Sequence, residues 1–144
     1  MAEFGFWLIQ GPGWALVLYL IWAQCLPALR YDLGVRWGTQ EPASQITEVG
    51  VAFWWAFAFA DLVLYTPLLA LGLWGHAFGF GWGALVLAAA LGITCYWPLT
   101  SLAAVWAARS ADGWELRKER DYWIVLPLLS FWGLAGLIVL LLAA

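Results

Sequence analysis

This chain contains four long apolar stretches, and Asp61 is the only charged side chain within them. Three of the stretches exceed the roughly 20 residues with which an α-helix crosses a bilayer. The first becomes long enough because no charge lies between Glu3 and Arg30. A transmembrane β-barrel would need strands of about ten residues with alternating polarity, a pattern that this sequence lacks. We therefore predict an all-α polytopic membrane protein of one domain, a four-transmembrane-helix bundle. Its helices are expected at residues 6–29, 49–73, 82–108 and 122–144.

Every predicted helix carries a proline in its interior. These residues are Pro27, Pro67, Pro98 and Pro127, and the Gly11-Pro12-Gly13 segment precedes the first of them. A proline inside a membrane helix leaves one carbonyl without its helical donor, so a neighbouring group must bond it. We therefore expect proline-kinked helices with room for a cavity between them. The segment at Pro12 is expected to kink or end the first helix.

The segments between the helices contain capping signals and the single histidine. Ser44 or Thr47 is expected to cap the second helix. Asp112-Gly-Trp-Glu115 resembles a capping box, which predicts a short interfacial helix at 113–121. His76 is expected in a glycine-rich loop between the second and third helices, where a lone histidine is usually solvated.

The basic residues predict the orientation of the chain in the membrane. All six Lys and Arg residues lie in the first or the third connecting segment: Arg30, Arg36, Arg109, Arg117, Lys118 and Arg120. Because basic loops stay in the cytoplasm, both termini are expected outside it. The expected location is the bacterial inner membrane.

Asp61 lies at the centre of the second apolar stretch. A charged side chain at this depth costs about 2.5–3.5 kcal/mol on insertion scales, so such residues face the protein interior and often mark a functional site. One interpretation is a ligand, ion or proton site. The other is a protonated carboxyl that only joins two helices by a hydrogen bond.

Tryptophan occurs 13 times, and most of its positions fall near helix ends, where indole rings anchor a helix at the interface. Trp22, Trp97 and Trp132 instead lie near the middle of their helices, at about the depth of Asp61. A buried indole N–H needs an acceptor, and Asp61 is the one strong acceptor available at that depth. We therefore predict a pocket that has Asp61 as its floor and the three indoles as its walls.

An aromatic wall with one carboxylate is suited to an amphiphilic cation, through cation–π contacts and charge pairing. Tyr65 lies one helical turn after Asp61, while Thr94 and Ser101 share a helical stripe with Trp97. The remaining candidates for ligand binding are Tyr96 and Asp32. In the alternative interpretation, the rings only fill a lipid-embedded core.

Three short segments carry a resemblance to a known family. Asp61-Leu-Val-Leu-Tyr-Thr-Pro67 is similar to a run in the second helix of the sigma-2 receptor and its emopamil-binding (EXPERA) relatives. Leu18-Tyr19-Leu20 with Tyr31-Asp32-Leu33 resembles the end of that family's first helix, and Trp97–Ser101 resembles the centre of its third. The family binds sterols and lipophilic amines, and some members isomerise a sterol. The resemblance implies that Asp61 matches the buried carboxylate and Asp32 the one that ends the first helix.

Other classes of function find less support in the residues. No Cys/His spacing predicts a metal, no cofactor motif is present, and Cys25 and Cys95 are expected to pack as small hydrophobes. The chain has no basic stripe for nucleic acid. The residues of isomerase chemistry or of a nucleophile–base pair are missing, which argues against an enzyme.

Two functions remain alternatives to binding a lipophilic small molecule. The chain is short and has little mass outside the membrane, so it is also suited to be an accessory subunit among other membrane subunits, or a homodimer in contact with lipids. A proton or ion conductor is weaker, because a relay needs further charges at membrane depth.

Overall fold

A computed structural model describes residues 2–143, and these residues form an all-helical chain without strands. The elements in chain order are α1 (Ala2–Leu20), a first π-helical turn (Ile21–Cys25), α2 (Leu26–Leu29), α3 (Tyr31–Trp37), α4 (Ala43–Ala60), a second π-helical turn (Asp61–Tyr65), α5 (Thr66–Ala77), α6 (Gly83–Ala108) and α7 (Glu119–Ala143).

Four continuous helical segments are long and apolar enough to cross a membrane. We refer to them as the first span (Glu3–Leu29), second span (Ala43–Ala77), third span (Gly83–Ala108) and fourth span (Glu119–Ala143). This confirms the prediction of an all-α protein with four membrane helices. The protein is an integral membrane protein.

The local structure differs from the prediction in three places. The first helix runs through Gly11–Gly13 without a break, and a short turn of helix from Ala43 precedes the predicted start of the second at Val49. The predicted helix at 113–121 does not form. Gly113 has a left-handed backbone (φ 77°), and Glu115 N–H donates to the carbonyl of Gln45 at 2.7 Å instead of to a helical acceptor. Regular α-helix starts only at Glu119.

The start of the second span contains a change of direction at Thr47. This residue has φ 65°, in the left-handed region that β-branched residues rarely adopt. Its hydroxyl accepts a bond from the backbone N–H of Gly50 at 3.4 Å, as a cap does at the start of a helix. The expected capping role of Thr47 is therefore confirmed, although a short turn of helix from Ala43 precedes it.

Side chains from elsewhere in the chain bond two carbonyls that lie four residues before a proline. Trp132 Nε1 donates to the carbonyl of Leu8 at 2.9 Å, which Pro12 cannot bond because it has no N–H. Gln40 Nε2 donates to the carbonyl of Ala23 at 2.8 Å, four residues before Pro27. Each bond gives the carbonyl an N–H donor, which the hydrocarbon of a membrane cannot supply. Because the Leu8 carbonyl is bonded in this way, α1 can continue through Pro12.

The two π-helical turns occupy equivalent positions, because each ends two residues before a proline. Each is closed by a bond spanning five residues, from Leu26 N–H to Ile21 in the first and from Thr66 N–H to Asp61 in the second. The turns pack against each other, and Cys25 Sγ donates to Thr66 Oγ1 at 3.4 Å. Isolated π turns often mark functional sites, and the second one begins at Asp61.

The third span packs closely against both the second and the fourth. Gly75 and Gly83 allow the second and third spans to meet, since a Cβ on Gly83 would lie 2.2 Å from a backbone atom of Gly75. Ser130 Oγ donates to the carbonyl of Cys95 at 3.2 Å and joins the fourth span to the third. These contacts join the second, third and fourth spans.

Replacing Trp132 with Phe should destabilise the protein through the unpaired Leu8 carbonyl. Leaving a buried acceptor unsatisfied costs about 1–3 kcal/mol, measured as the free energy of unfolding in detergent micelles. The Pro12→Ala change restores a backbone N–H that can bond Leu8. In a Pro12→Ala background, Trp132→Phe should therefore cost clearly less.

The matched control is Trp106→Phe, because Trp106 is 66% exposed and its loss leaves no internal acceptor unpaired. An equal cost of Trp132→Phe with and without Pro12 would show that the tryptophan does not act on the freed carbonyl.

Candidate functional site

A cavity of about 390 Å³ opens in the half of the bundle nearest the two basic segments. All four spans and both basic segments line it. Its walls include four of the residues predicted to bind a ligand, namely Asp61, Trp22, Trp97 and Ser101. The structure thus brings the centres of the first three helices together around one space.

Asp61 is buried, with 7% of its surface exposed, and lies at the first residue of the second π-helical turn. Within residues 2–143, its carboxyl group has neither a hydrogen-bond donor nor an ion-pair partner. A buried polar group without a partner costs free energy. Because Asp61 lines the cavity, water or a ligand in the cavity can solvate this carboxyl.

Two indole N–H groups of the cavity wall are also without acceptors in the described part of the chain. These are Trp54 Nε1 and Trp97 Nε1, both buried. Trp54 is only 8% exposed and packs beside Tyr122, with 5.8 Å between ring centroids. Trp22 is 47% exposed and lies at the edge of the cavity, next to Tyr19.

The first basic segment folds back into the bundle and forms the polar end of the cavity. Besides its bond to Ala23, Gln40 Nε2 lies 3.1 Å from Gln24 Oε1, and Tyr31 donates its hydroxyl to the backbone carbonyl of Glu41 at 2.9 Å. These bonds hold Glu41, which is 6% exposed, against the cavity. A loop carboxylate is therefore buried rather than solvated.

The electrostatic environment of Glu41 disfavours its charge. Burial raises the pKa of this carboxyl, Lys118 partly lowers it, and the negative charge of Asp121 raises it further. Lys118 forms no ion pair with Glu41 and donates instead to the carbonyl of Gly38 at 2.7 Å. Burial and the neighbouring Glu41 in turn raise the pKa of Tyr31 to about 12.

Tyr65, Thr94 and Trp132 do not line this cavity. Tyr65 and Thr94 share a hydrogen bond of 2.6 Å inside the core, and Thr94 also donates to the carbonyl of Ala90. Trp132 donates its indole N–H to the carbonyl of Leu8 in the first span. The expected wall of three matched indoles therefore has only two members, because Trp132 serves the backbone of the first span.

Tyr96 and Asp32 also lie outside the cavity. Tyr96 is 67% exposed on the outer face of the third span. Asp32 lies in α3 and is paired with Arg30 at 3.4 Å on the surface. The expected carboxylate at the end of the first helix thus lies outside the cavity, and Glu41 lies at the polar end of the cavity.

Sequence reasoning missed Trp54, Tyr122, Gln40 and Glu41, all of which line the cavity. No local pattern distinguishes Glu41 from a solvated loop carboxylate. One feature of the sequence does point to this part of the loop. Pro27 leaves the carbonyl of Ala23, four residues earlier, without its helical donor, and Gln40 supplies that donor.

His76 lies in α5 rather than in the expected loop, and its Nδ1 is 3.2 Å from Gln10 Nε2. It borders a second, mostly apolar cavity of about 520 Å³ at the opposite end of the bundle. Cys25 and Cys95 are free thiols. Within the described residues, no group of three or more His, Cys, Asp or Glu side chains could hold a metal ion.

Comparison with known proteins identifies no relative of this chain. No family model, no curated protein and no solved structure matches this chain.

Replacing Glu41 with Gln should stabilise the protein more at about pH 8 than near the ordinary Glu pKa of about 4.3. The carboxyl pKa is higher in the folded than in the unfolded chain, so folding loses stability as pH rises between the two values. The groups facing Glu41 are Lys118, Asp121, Tyr31 and Tyr122.

The measurement is the melting temperature of both proteins in detergent at the two pH values. Glu115→Gln, a change at an exposed residue of the other basic segment, is the control. A stabilisation by Glu41→Gln that is the same at both pH values would contradict the burial of this carboxyl.

Proposed function

We propose that this protein binds a small cationic amphiphile, such as a lipophilic amine, in the cavity around Asp61. The observation that carries this proposal is the buried carboxyl of Asp61, which has no partner within residues 2–143 and borders a cavity. An ammonium group supplies both the charge and the hydrogen bond that this carboxyl lacks.

The remaining wall of the cavity fits the apolar part of such a ligand. Trp22, Phe57 and Trp97 offer aromatic surface near Asp61, and an aromatic ring attracts a cation to its face. A volume of about 390 Å³ is within the range of small-molecule sites. A ligand of this kind is lipophilic enough to reach the site from the membrane.

The resemblance to the sigma-2 receptor and EXPERA proteins supports the same class of ligand, namely sterols and lipophilic amines. In this chain, Asp61 and Trp97 belong both to the resembling segments and to the cavity wall. Asp32, the other carboxylate of the resemblance, is surface-exposed and ion-paired. Of these two carboxylates, we therefore expect only Asp61 to bind the ligand, and we propose no isomerase activity.

The fourth span favours a second candidate function, an accessory subunit of a membrane complex. Only 17% of its most apolar stretch is buried inside the protein, against 39% for each of the other spans. An additional membrane protein could cover this face. Purification in mild detergent tests the idea, because a partner protein should then copurify at a fixed stoichiometry, whereas recovery of this chain with lipid alone would contradict it.

Replacing Asp61 with Asn should weaken the binding of dodecylamine about tenfold or more. The change keeps the size of the side chain but removes a charge-assisted bond worth about 1.5–3 kcal/mol, and 1.4 kcal/mol corresponds to a factor of ten. Titration calorimetry on the protein in phosphatidylcholine nanodiscs, corrected with empty nanodiscs, measures this.

Asp32→Asn is the matched control, since Asp32 is a surface carboxylate on the same chain and should leave the affinity unchanged. Dodecanol, the neutral analogue, should bind both Asp61 forms equally. Equal affinity of dodecylamine for the native protein and for Asp61→Asn would exclude Asp61 as the counter-ion.

The orientation proposed from the basic residues places both termini outside the cytoplasm. Single cysteines at Ala77 and Ala111, in a background with Cys25 and Cys95 replaced by Ala, test it in intact cells with a membrane-impermeant maleimide. Ala77→Cys should be labelled and Ala111→Cys should be protected, because Ala111 lies in a basic segment. The reverse pattern would overturn this orientation.

A further inference from the structure

Asp61 is not the only unpaired buried carboxyl in the cavity. Among the described residues, Asp61 and Glu41 are the two acidic side chains that are buried, at 7% and 6% exposure. Both line the same cavity, and neither carboxyl group has a hydrogen-bond donor or an ion-pair partner within residues 2–143. Two buried carboxyls without internal donors thus line one cavity.

The position of Glu41 is fixed by bonds to its neighbours rather than by bonds to its own carboxyl. Tyr31 bonds its backbone carbonyl, and the adjacent Gln40 is tied to Ala23 and Gln24 of the first span. This part of the loop cannot turn outward without breaking those bonds. The bonds that fix the loop therefore offset the free-energy cost of burying this carboxyl.

The nearby positive charge does not neutralise this carboxyl by contact. Lys118 lines the cavity, but its ammonium group donates to the carbonyl of Gly38 and is not within ion-pair distance of Glu41. Asp121, a second carboxylate of the cavity rim, adds negative charge at the same end. The polar end of the cavity therefore favours a donor or a cation from outside the chain.

Apolar surface lies in the same cavity as the two carboxyls. Trp54, Phe57 and Tyr122 form an aromatic wall, and Val125 adds aliphatic surface from the fourth span. A ligand with two amines joined by an apolar spacer places one donor group at each carboxyl and its apolar part against this wall.

We propose that the cavity selects lipophilic diamines, with one ammonium group bonded to Asp61 and the second bonded to Glu41. This inference rests on the proposed function, because it extends the same site from one cation to two. It identifies Glu41, a loop residue, as the specificity-determining residue of the site. Monoamines then bind through Asp61 alone.

The test compares dodecylamine with N-dodecyl diamines whose two amines are separated by methylene chains of increasing length, from trimethylene upward so that both amines are largely protonated. Affinities are measured by titration calorimetry in phosphatidylcholine nanodiscs at about pH 8, where alkylamines remain protonated. The best diamine should bind native protein about tenfold more tightly than dodecylamine, as expected for one additional charge-assisted bond. The affinity should pass through an optimum with spacer length.

Substitutions of Glu41 separate this contact from general attraction to acidic loops. Glu41→Gln should abolish the advantage of the diamine over dodecylamine, because the amide offers the second ammonium group no charge. Glu115→Gln, which removes an exposed charge from the other basic segment, should preserve the advantage. Glu41→Asp keeps the charge on a side chain shorter by one methylene, so the optimal spacer should become longer.

The outcomes distinguish the two proposals. If dodecylamine binds through Asp61 but the diamines show no optimum, or keep their advantage in Glu41→Gln, the diamine inference is wrong and the proposed function stands. If neither amine depends on Asp61, the proposed function itself fails. A diamine that loses its advantage equally in Glu41→Gln and Glu115→Gln indicates surface attraction, which also overturns the inference.

Discussion

The structure of this protein depends on how it satisfies polar groups where no water is available. In the hydrocarbon region of a bilayer, an unpaired carbonyl or carboxyl costs several kcal/mol. At two prolines, a side chain from a distant segment bonds the carbonyl that the proline leaves without a donor. Trp132 bonds the carbonyl of Leu8, and Gln40 bonds the carbonyl of Ala23. Against that background, the unpaired carboxyls of Asp61 and Glu41 stand out as acceptors directed at a cavity.

The same constraint connects the fold to the site. Pro27 frees the carbonyl of Ala23, Gln40 bonds it, and the loop is thereby drawn into the bundle. Glu41 follows Gln40 in sequence and is buried as a consequence. A proline in the first span thus helps to build the polar end of a cavity whose deeper part contains Asp61. The second π-helical turn contributes by starting at Asp61 itself.

The sequence allowed the four spans to be predicted because uncharged runs of this length have few other stable environments. It also allowed the prediction that Asp61, Trp22 and Trp97 line one pocket, because residues at the same depth on neighbouring helices can come into contact. It failed for Trp132 and Glu41. Matched depth does not specify which face of a helix a residue occupies, and Trp132 faces α1. The burial of Glu41 depends on long-range bonds that no local pattern encodes.

We propose that the cavity holds a cationic amphiphile through Asp61. The most direct measurement is native mass spectrometry of the protein purified in mild detergent, with identification of the small molecules released from it. We expect a bound lipophilic amine at about one per chain in the native protein and its loss in Asp61→Asn, with the bound phospholipid unchanged. The same small molecules in both proteins, or phospholipid alone in the native protein, would contradict it.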